Sequence, residues 1–291
     1  MTDPQVWISI LEQGCFYGLI GLAYLLGLEG TGFFNFAVGS YALVAALMTS
    51  WLVSEHGYGV WPALILAVLV AMALAALTEL AVVRTIEAKF QHGELPSLVA
   101  VAALLFAISQ VAGMVFGRVT MPGEPFYSFT PIAVGSAYLT PAVVGVVGVA
   151  VVAFAGVSVT ARTTAFGRAL RAVGDNKEAS RILGLPVGRV RLIAFAVSGL
   201  VAALAGIAYS SQAGVSWDVG LQWALLGFLA LVVGGAGSWF GPLVGGILLG
   251  FVQEVIELYA GGQDVDYAML GIALVFFAFW PKGLTSRAVR A

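Results

Sequence analysis

Charge is what this chain has least of. Only 10% of its 291 residues are Asp, Glu, Lys or Arg, against about 25% in a soluble domain, while 60% are hydrophobic and the mean hydropathy is +1.00. That balance excludes a water-soluble globular body and points to an integral membrane protein. A net charge of -2 and a pI near 5.7 leave no basic surface for nucleic acid. The single cysteine, Cys15, rules out an internal disulfide. The two histidines, His56 and His92, lie far apart in expected loops, so no ordinary metal or thiol site can form, and neither H-E-x-x-H nor G-x-S-x-G occurs. Lysine is scarce too: Lys89, Lys177 and Lys282 are followed by Phe, Glu and Gly. The G-x-x-x-x-G-K-[ST] loop that cradles nucleotide phosphates is therefore missing. No cofactor is expected on this chain, and any ATP and Mg would act in a partner.

What the chain has in abundance is long apolar stretches. A bilayer core about 30 Å thick takes roughly 20 apolar residues per helix. Cutting the chain at its charges and turn signals gives nine expected spans, at 6–28, 33–53, 60–83, 95–117, 139–161, 192–213, 221–238, 241–259 and 266–281. The start, "MTDPQVWISILEQG", lacks the cationic region of a cleavable signal, so the first span is expected to be retained. Residues 219–253 carry no charge and are too long for one span; the turn-forming "GSWFGP" at 237–242 folds them into a hairpin. Residues 125–138 hold two prolines and fit an interfacial or re-entrant piece. The expected architecture is all-α and polytopic: one transmembrane domain over 1–291, with about 8–10 helices, some of them broken.

Orientation follows from the cations, which are retained on the cytoplasmic side of short loops. Seven of the thirteen lie between 162 and 191, Arg84 and Lys89 flank the third connection, and Lys282, Arg287 and Arg290 occupy the tail; only Arg118 dissents. The opposite segments carry Asp3, Glu55, Glu124, Asp218, Asp264 and Asp266. The N-terminus is therefore expected outside and the C-terminus in the cytoplasm.

The cation-rich segment "RTTAFGRALRAVGDNKEASRILGLPVGRVR" predicts two short helices. Phe166, Ala169, Leu170 and Val173 recur at helical spacing up to a stop at Gly174. The second helix starts with Asp175 as N-cap and Glu178 in a capping-box position. It carries an apolar face of Ala179, Ile182 and Leu183, and it ends at Gly184, Leu185 and Pro186. A two-turn helix costs too much to nucleate for the little membrane area it could bury, so a protein partner is expected to cover that face.

"GRALRAVGDNKEASRILGLPVGRVRLIAFAVSGLVAALAGIAYSSQAGVSWDVG" and "LVVGGAGSWFGPLVGGILLG" closely resemble the permease subunits of branched-chain amino acid ABC importers, and "NFAVGSYALVAAL" resembles that family's second span. The likeness runs from about residue 8 to "FWPKGL" at 279–284, and the asparagine-led "NFAVGS" resembles the smaller of the two permeases such importers use. Departures are Val38, where a histidine is common, and "RTIEAKFQHGEL", which lacks a proline-rich form, although Glu79 and Arg84 keep their places. The resemblance implies a prokaryotic inner-membrane importer of branched-chain or other hydrophobic amino acids. It implies a second homologous permease, two cytoplasmic ATPases and an extracytoplasmic binding protein. It also implies a coupling helix at about 175–184 within the 162–191 loop, with ATPase coupling carried by Gly167, Arg168, Arg171, Ala172, Asp175, Asn176, Glu178, Ala179, Ile182 and Gly184.

A translocation path is expected where membrane helices are interrupted, because half-helix ends beside a cavity offer unpaired backbone groups. The candidates are Asn35, Gly39 and Ser40 in "NFAVGS" and Gly234, Gly235 and Gly237 in "VVGGAGSWFG"; simple helix packing explains such glycines equally well. Glu12, Glu79 and Glu254 are further candidates, being carboxylates within or near spans. A path with few charges suits a zwitterion with an apolar side chain, or urea and short amides. A self-sufficient secondary transporter would need an ionisable relay at mid-depth, which is not evident.

Overall fold

In the computed structural model of the chain, residues 4–89, 94–127, 129–134, 137–260, 265, 268, 269 and 271 are described. The elements run α1 (Pro4–Thr31), α2 (Val38–Ser54) and α3 (Val60–Leu77), which continues through a π-helical segment (Thr78–Val83) into α4 (Arg84–Lys89). Next come α5 (Glu94–Val115), the strands β1 (Ile132–Val134) and β2 (Ala137–Leu139), and α6 (Pro141–Thr163). Then follow α7 (Ala165–Asp175), α8 (Lys177–Ile182), α9 (Val187–Ala213), α10 (Gly220–Gly234) and α11 (Gly241–Ala260). Among the described residues, six helices are long and apolar enough to cross a membrane; α2 and α10 are apolar but shorter. The chain is thus an all-α polytopic membrane protein. Eight of the nine expected spans fall on these helices; all of the ninth, 266–281, except residues 268, 269 and 271, and also His92, lie outside the described residues.

α1 sits at the centre, packed by α6, α9, α10 and α11 and buried without interruption from Gly14 to Gly27. Lipid gives helices little hydrophobic reason to associate, so close backbone packing must hold them together. Glycine supplies it. A Cβ built on Gly246 would lie 2.3 Å from the Gly14 carbonyl oxygen, and one on Gly250 would lie 2.8 Å from that of Ile10. The α10–α11 hairpin closes the same way: a Cβ on Gly234 would lie 1.8 Å from the Gly241 oxygen, and one on Gly245 would lie 2.0 Å from that of Ala230. Gly241 and Gly245 pack in this hairpin, while Gly237 lies in its turn.

Two expected boundaries are corrected, and a third segment takes a specific form. α1 stays helical to Thr31, and α2 begins only at Val38, because Gly32 takes a left-handed φ of +84° and the chain turns back there. Residues 125–138, expected as an interfacial or re-entrant piece, hold β1 and most of β2, which pair antiparallel, Ile132 with Leu139 and Val134 with Ala137. Pro125 and Pro131 disfavour a helix, and strand pairing satisfies the backbone instead. α9 begins at Val187 rather than 192, so Arg189 and Arg191 lie inside the helix; Arg191 is tolerated there because it is paired.

At one end of the bundle, backbone bonds stitch the loops. Met121 and Val215 form an antiparallel bridge with both N–H···O distances at 2.9 Å, and Ser50 Oγ donates to the Pro122 carbonyl at 2.5 Å. Gly123 lies so close to α9 that a Cβ there would overlap the Ser210 carbonyl.

Gly246→Leu should destabilise the protein by about 1–3 kcal/mol or more through overpacking, whereas Gly148→Leu, which faces open space, should not. Cys15 is buried on α1 beside this crossing, so the rate at which a thiol dye labels it on heating reads both variants.

Candidate functional site

The residues expected to couple to a partner form a compact shelf of α7 and α8. Leu170 and Val173 seat α7 on the bundle, Thr164 Oγ1 accepts from the Gly167 N–H at 3.1 Å, and Arg171 Nη2 donates to the Ala161 carbonyl at 2.8 Å. Gly167 lies against α6, where a Cβ would come 2.4 Å from the Ala161 Cα. Arg168 is exposed, Nη1 reaching the Thr163 carbonyl at 3.3 Å.

The expected helix boundaries shift by one residue. α7 continues through Gly174 to Asp175, and Asn176 rather than Asp175 is the N-cap of α8, its Oδ1 accepting from the Ala179 N–H at 2.9 Å. Asp175 is held in the last turn of α7, while the extended backbone of Asn176 aims its carboxamide down α8. Glu178 therefore falls too early in the helix to complete a capping box. Gly174 is needed for close approach and not as a stop, since a Cβ there would lie 2.7 Å from the Glu29 carbonyl. Gly184 takes φ +77°, and its N–H and that of Leu185 bond back to Arg181 and Ser180 at 3.0 Å each, closing a Schellman end. The Ala172 carbonyl accepts from Ser180 Oγ at 2.9 Å, which ties α8 to α7. Ala179 is exposed, Ile182 is 86% exposed and Leu183 78%, so nothing in the described chain covers the apolar face.

Behind this shelf stands a ladder of alternating charge. Glu79 is fully buried on the π-helical segment; its Oε1 lies 3.1 Å from Arg84 Nε and 3.0 Å from Arg191 Nε, and its Oε2 accepts from Arg191 Nη2 at 3.1 Å. Arg191 Nη1 then donates to Glu87 Oε2 at 2.6 Å, and Lys177 Nζ, the first residue of α8, donates to the same oxygen at 2.7 Å. Arg84 also donates through Nη2 to the Gly188 carbonyl. Burial is graded, from Glu79 at 0% and Arg191 at 3% to Glu87 at 21% and Lys177 at 30% side-chain exposure. A polar cavity of about 1030 Å³ opens between the ladder and the shelf, lined by Arg84, Glu87, Lys177, Glu178 and Arg191. A second cavity of about 730 Å³, walled by α6 and α9, is almost wholly apolar.

The other candidates lie at interruptions. Between α1 and α2 the chain runs non-helically with Asn35 fully buried, its Cβ 3.8 Å from where a Cβ of Gly27 would lie. Asn35 Oδ1 accepts from the Ala37 N–H at 3.1 Å and Nδ2 donates to Tyr41 Oη at 3.2 Å. Tyr41 Oη donates to Thr78 Oγ1 at 2.9 Å, and Thr78 Oγ1 in turn to the Leu74 carbonyl. Ser40 Oγ caps the Ala37 carbonyl at 2.7 Å, and Gly39 lets α2 meet the start of α10, where a Cβ would come 2.1 Å from the Gly220 oxygen. Gly235 ends α10 with φ +87°, and the turn holding Gly237 lies beside α6, Phe240 stacking on Phe154. From the first of these segments, Phe34 and Phe36 reach α10 at Phe228. Glu12 is 3% exposed on α1 with the Gln212 amide turned toward its carboxylate, and among the described residues no ion pair reaches it. Glu254 is half-buried on α11.

Sequence reasoning missed Glu87, Lys177, Arg191, Tyr41 and Thr78. The available signal was Glu79 itself: a carboxylate inside a span demands a cation, and the densest cations lie at 162–191.

Arg191→Met should cost about 3 kcal/mol, the low end for breaking a buried pair, because Glu79 keeps only the half-exposed Arg84 as its cation, whereas Lys177→Met at the wetter end should cost about 1 kcal/mol or less. Urea unfolding in mixed micelles, followed by labelling of Cys15, should rank the two variants in that order.

Comparison with known proteins places the chain. Residues 6–278 match the family described as branched-chain amino acid transport system / permease component. The chain is 25% identical to the high-affinity branched-chain amino acid transport system permease protein LivH of Salmonella typhimurium over 304 aligned positions, covering 97% of this chain and 95% of that one. It is 34% identical over 134 positions to the xylose transport system permease protein XylH of Escherichia coli, covering 44% and 34%. Its fold is similar to a chain in the structure of PsaBC from Streptococcus pneumoniae in complex with Fab, with a TM-score of 0.50, 13% identity, and coverage of 96% and 91%. By its apolar helices and its relatives it is a multi-pass protein of the inner membrane. The chain belongs to the family of branched-chain amino acid transport system permease components.

Proposed function

We propose that this chain forms the translocation path of an ATP-binding-cassette importer for branched-chain or other hydrophobic amino acids. A homologous second permease completes the path, an extracytoplasmic binding protein delivers the solute, and two cytoplasmic ATPases holding ATP and Mg supply the energy. The observation that carries this reading is the uncovered face of Ala179, Ile182 and Leu183 on a short capped helix, in a chain of a permease family. An apolar face off the membrane is a docking face. The shelf lies on the cation-rich, cytoplasmic side, with Gly167, Arg168, Arg171 and Ala172 fixing α7, and Asp175, Asn176, Glu178 and Gly184 bounding α8. The path runs beside the interruptions at Asn35–Ser40 and Gly234–Gly237. There Asn35 holds the non-helical connection in shape, and the glycines keep the neighbouring backbones close. Amino acids are favoured as solute because the LivH likeness covers the whole chain and the xylose likeness less than half.

Co-purification with the ATPases encoded beside the chain tests the docking. Wild type should hold them, and Ala179→Arg, which places a charge on the docking face, should lose them while remaining folded. Undiminished association would place docking elsewhere. In proteoliposomes containing the whole complex, leucine should accumulate with ATP and xylose should not. Uptake by this chain alone on an ion gradient would make it a secondary transporter instead.

A further inference from the structure

The charge ladder does not stop at Glu79. Its neighbour on the same π-helical segment, Thr78, accepts from Tyr41, and Tyr41 accepts from Asn35. Polar contacts therefore run from Lys177 at the head of α8 through Glu87 and Arg191 to Glu79, pass along the backbone to the adjacent Thr78, and continue through Tyr41 to Asn35, which sets the start of α2. Six short contacts join five separate segments. From Arg191 onward the chain is buried: Arg191 at 2%, Glu79 at 0%, Thr78 at 3%, Tyr41 and Asn35 at 0%.

We propose that this chain is the positioning path by which movement of α8 sets the α1–α2 interruption, with Lys177 as its releasable end and Tyr41 as its inner link. The proposal rests on the importer reading of α8. Three features favour transmission over simple bracing. Burial is graded, so the Lys177–Glu87 contact can open into water while the inner contacts cannot. The cavity of about 1030 Å³ gives α8 room to leave Glu87. The π-helical turn, an interruption of the regular helix of a kind frequent at functional sites, carries both the ladder's buried end and Thr78. A two-state element that both ends bias is what coupling between sites requires.

The test is a double-mutant cycle on the complete importer in proteoliposomes, reading leucine accumulated per ATP hydrolysed. Lys177→Met removes the releasable end; Tyr41→Phe keeps the ring and removes only the hydroxyl, and Thr78→Val serves in its place if that variant does not fold. Each single variant should lower the ratio by about threefold, chiefly by raising ATP hydrolysis without solute, and Lys177→Arg should restore it. The double variant should fall no further than the worse single. A simple bracing role would shift thermal stability and leave the ratio unchanged, which overturns the proposal. So does a double variant whose loss is the product of the singles, about ninefold, since that marks independent sites. Loss of ATPase association in Lys177→Met also overturns it, because Lys177 would then contact the ATPase itself. A wild-type chain that assembles with no ATPase overturns the importer reading and the proposal together.

Discussion

A carboxylate inside an apolar bundle must find a cation or stay neutral, and Glu79 finds two. That requirement organises one end of the molecule. It draws Arg191 into the first turns of α9, so α9 begins earlier than apolarity alone would place it. It holds Arg84 back along its own helix. Because Arg191 has donors to spare, it also recruits Glu87 and, through Glu87, the head of α8. The position of an exposed surface helix is thus set by a residue that water never reaches.

The rest of the bundle is held by a different economy. Where charges are absent, association depends on how closely backbones can approach, and the glycines of α1, α10 and α11 set that distance. α1 can be central only because Gly14 and Gly18 accept Gly246, Ile247 and Leu243 against bare backbone. The polar interruption before α2 fits the same frame. Asn35 replaces the missing helical bonds with one to the Ala37 amide and one to Tyr41, so its amide is consumed in shaping the turn.

Much of the fold was legible from composition. Apolar length located eight spans, and "GSWFGP" marked the α10–α11 turn, because both signals are local. The α8 stop at Gly184 was legible for the same reason, through glycine's tolerance of positive φ. The start of α8 was misplaced by one residue: Asp175 and Asn176 both cap well, and only the packing of Gly174 on Glu29 carries α7 through Asp175. The hairpin at 132–139 was obscured because apolar residues there suit lipid and strand alike. The ladder was invisible except for Glu79, since Arg191 lies 112 residues away and no spacing rule spans that distance.

The stitched loops at the other end have a mechanical consequence. There the loop through Met121, Pro122 and Gly123 is joined to the approach to α10 by two backbone bonds at Val215, to α9 by a glycine contact and to α2 by the short Ser50 hydroxyl, while at the far end α9 is held by side-chain charges. Backbone pairing is short and stiff; long side chains yield. α9, at 27 residues, is about 40 Å long. Between its two ends α9 is pressed against α3 and α2 by Gly199 and Gly206, where a Cβ would come 2.7 Å from the Ala75 Cβ and 2.4 Å from the Ala42 oxygen. Any give in this helix is therefore confined to its charged first turns, the one part whose partners are long side chains.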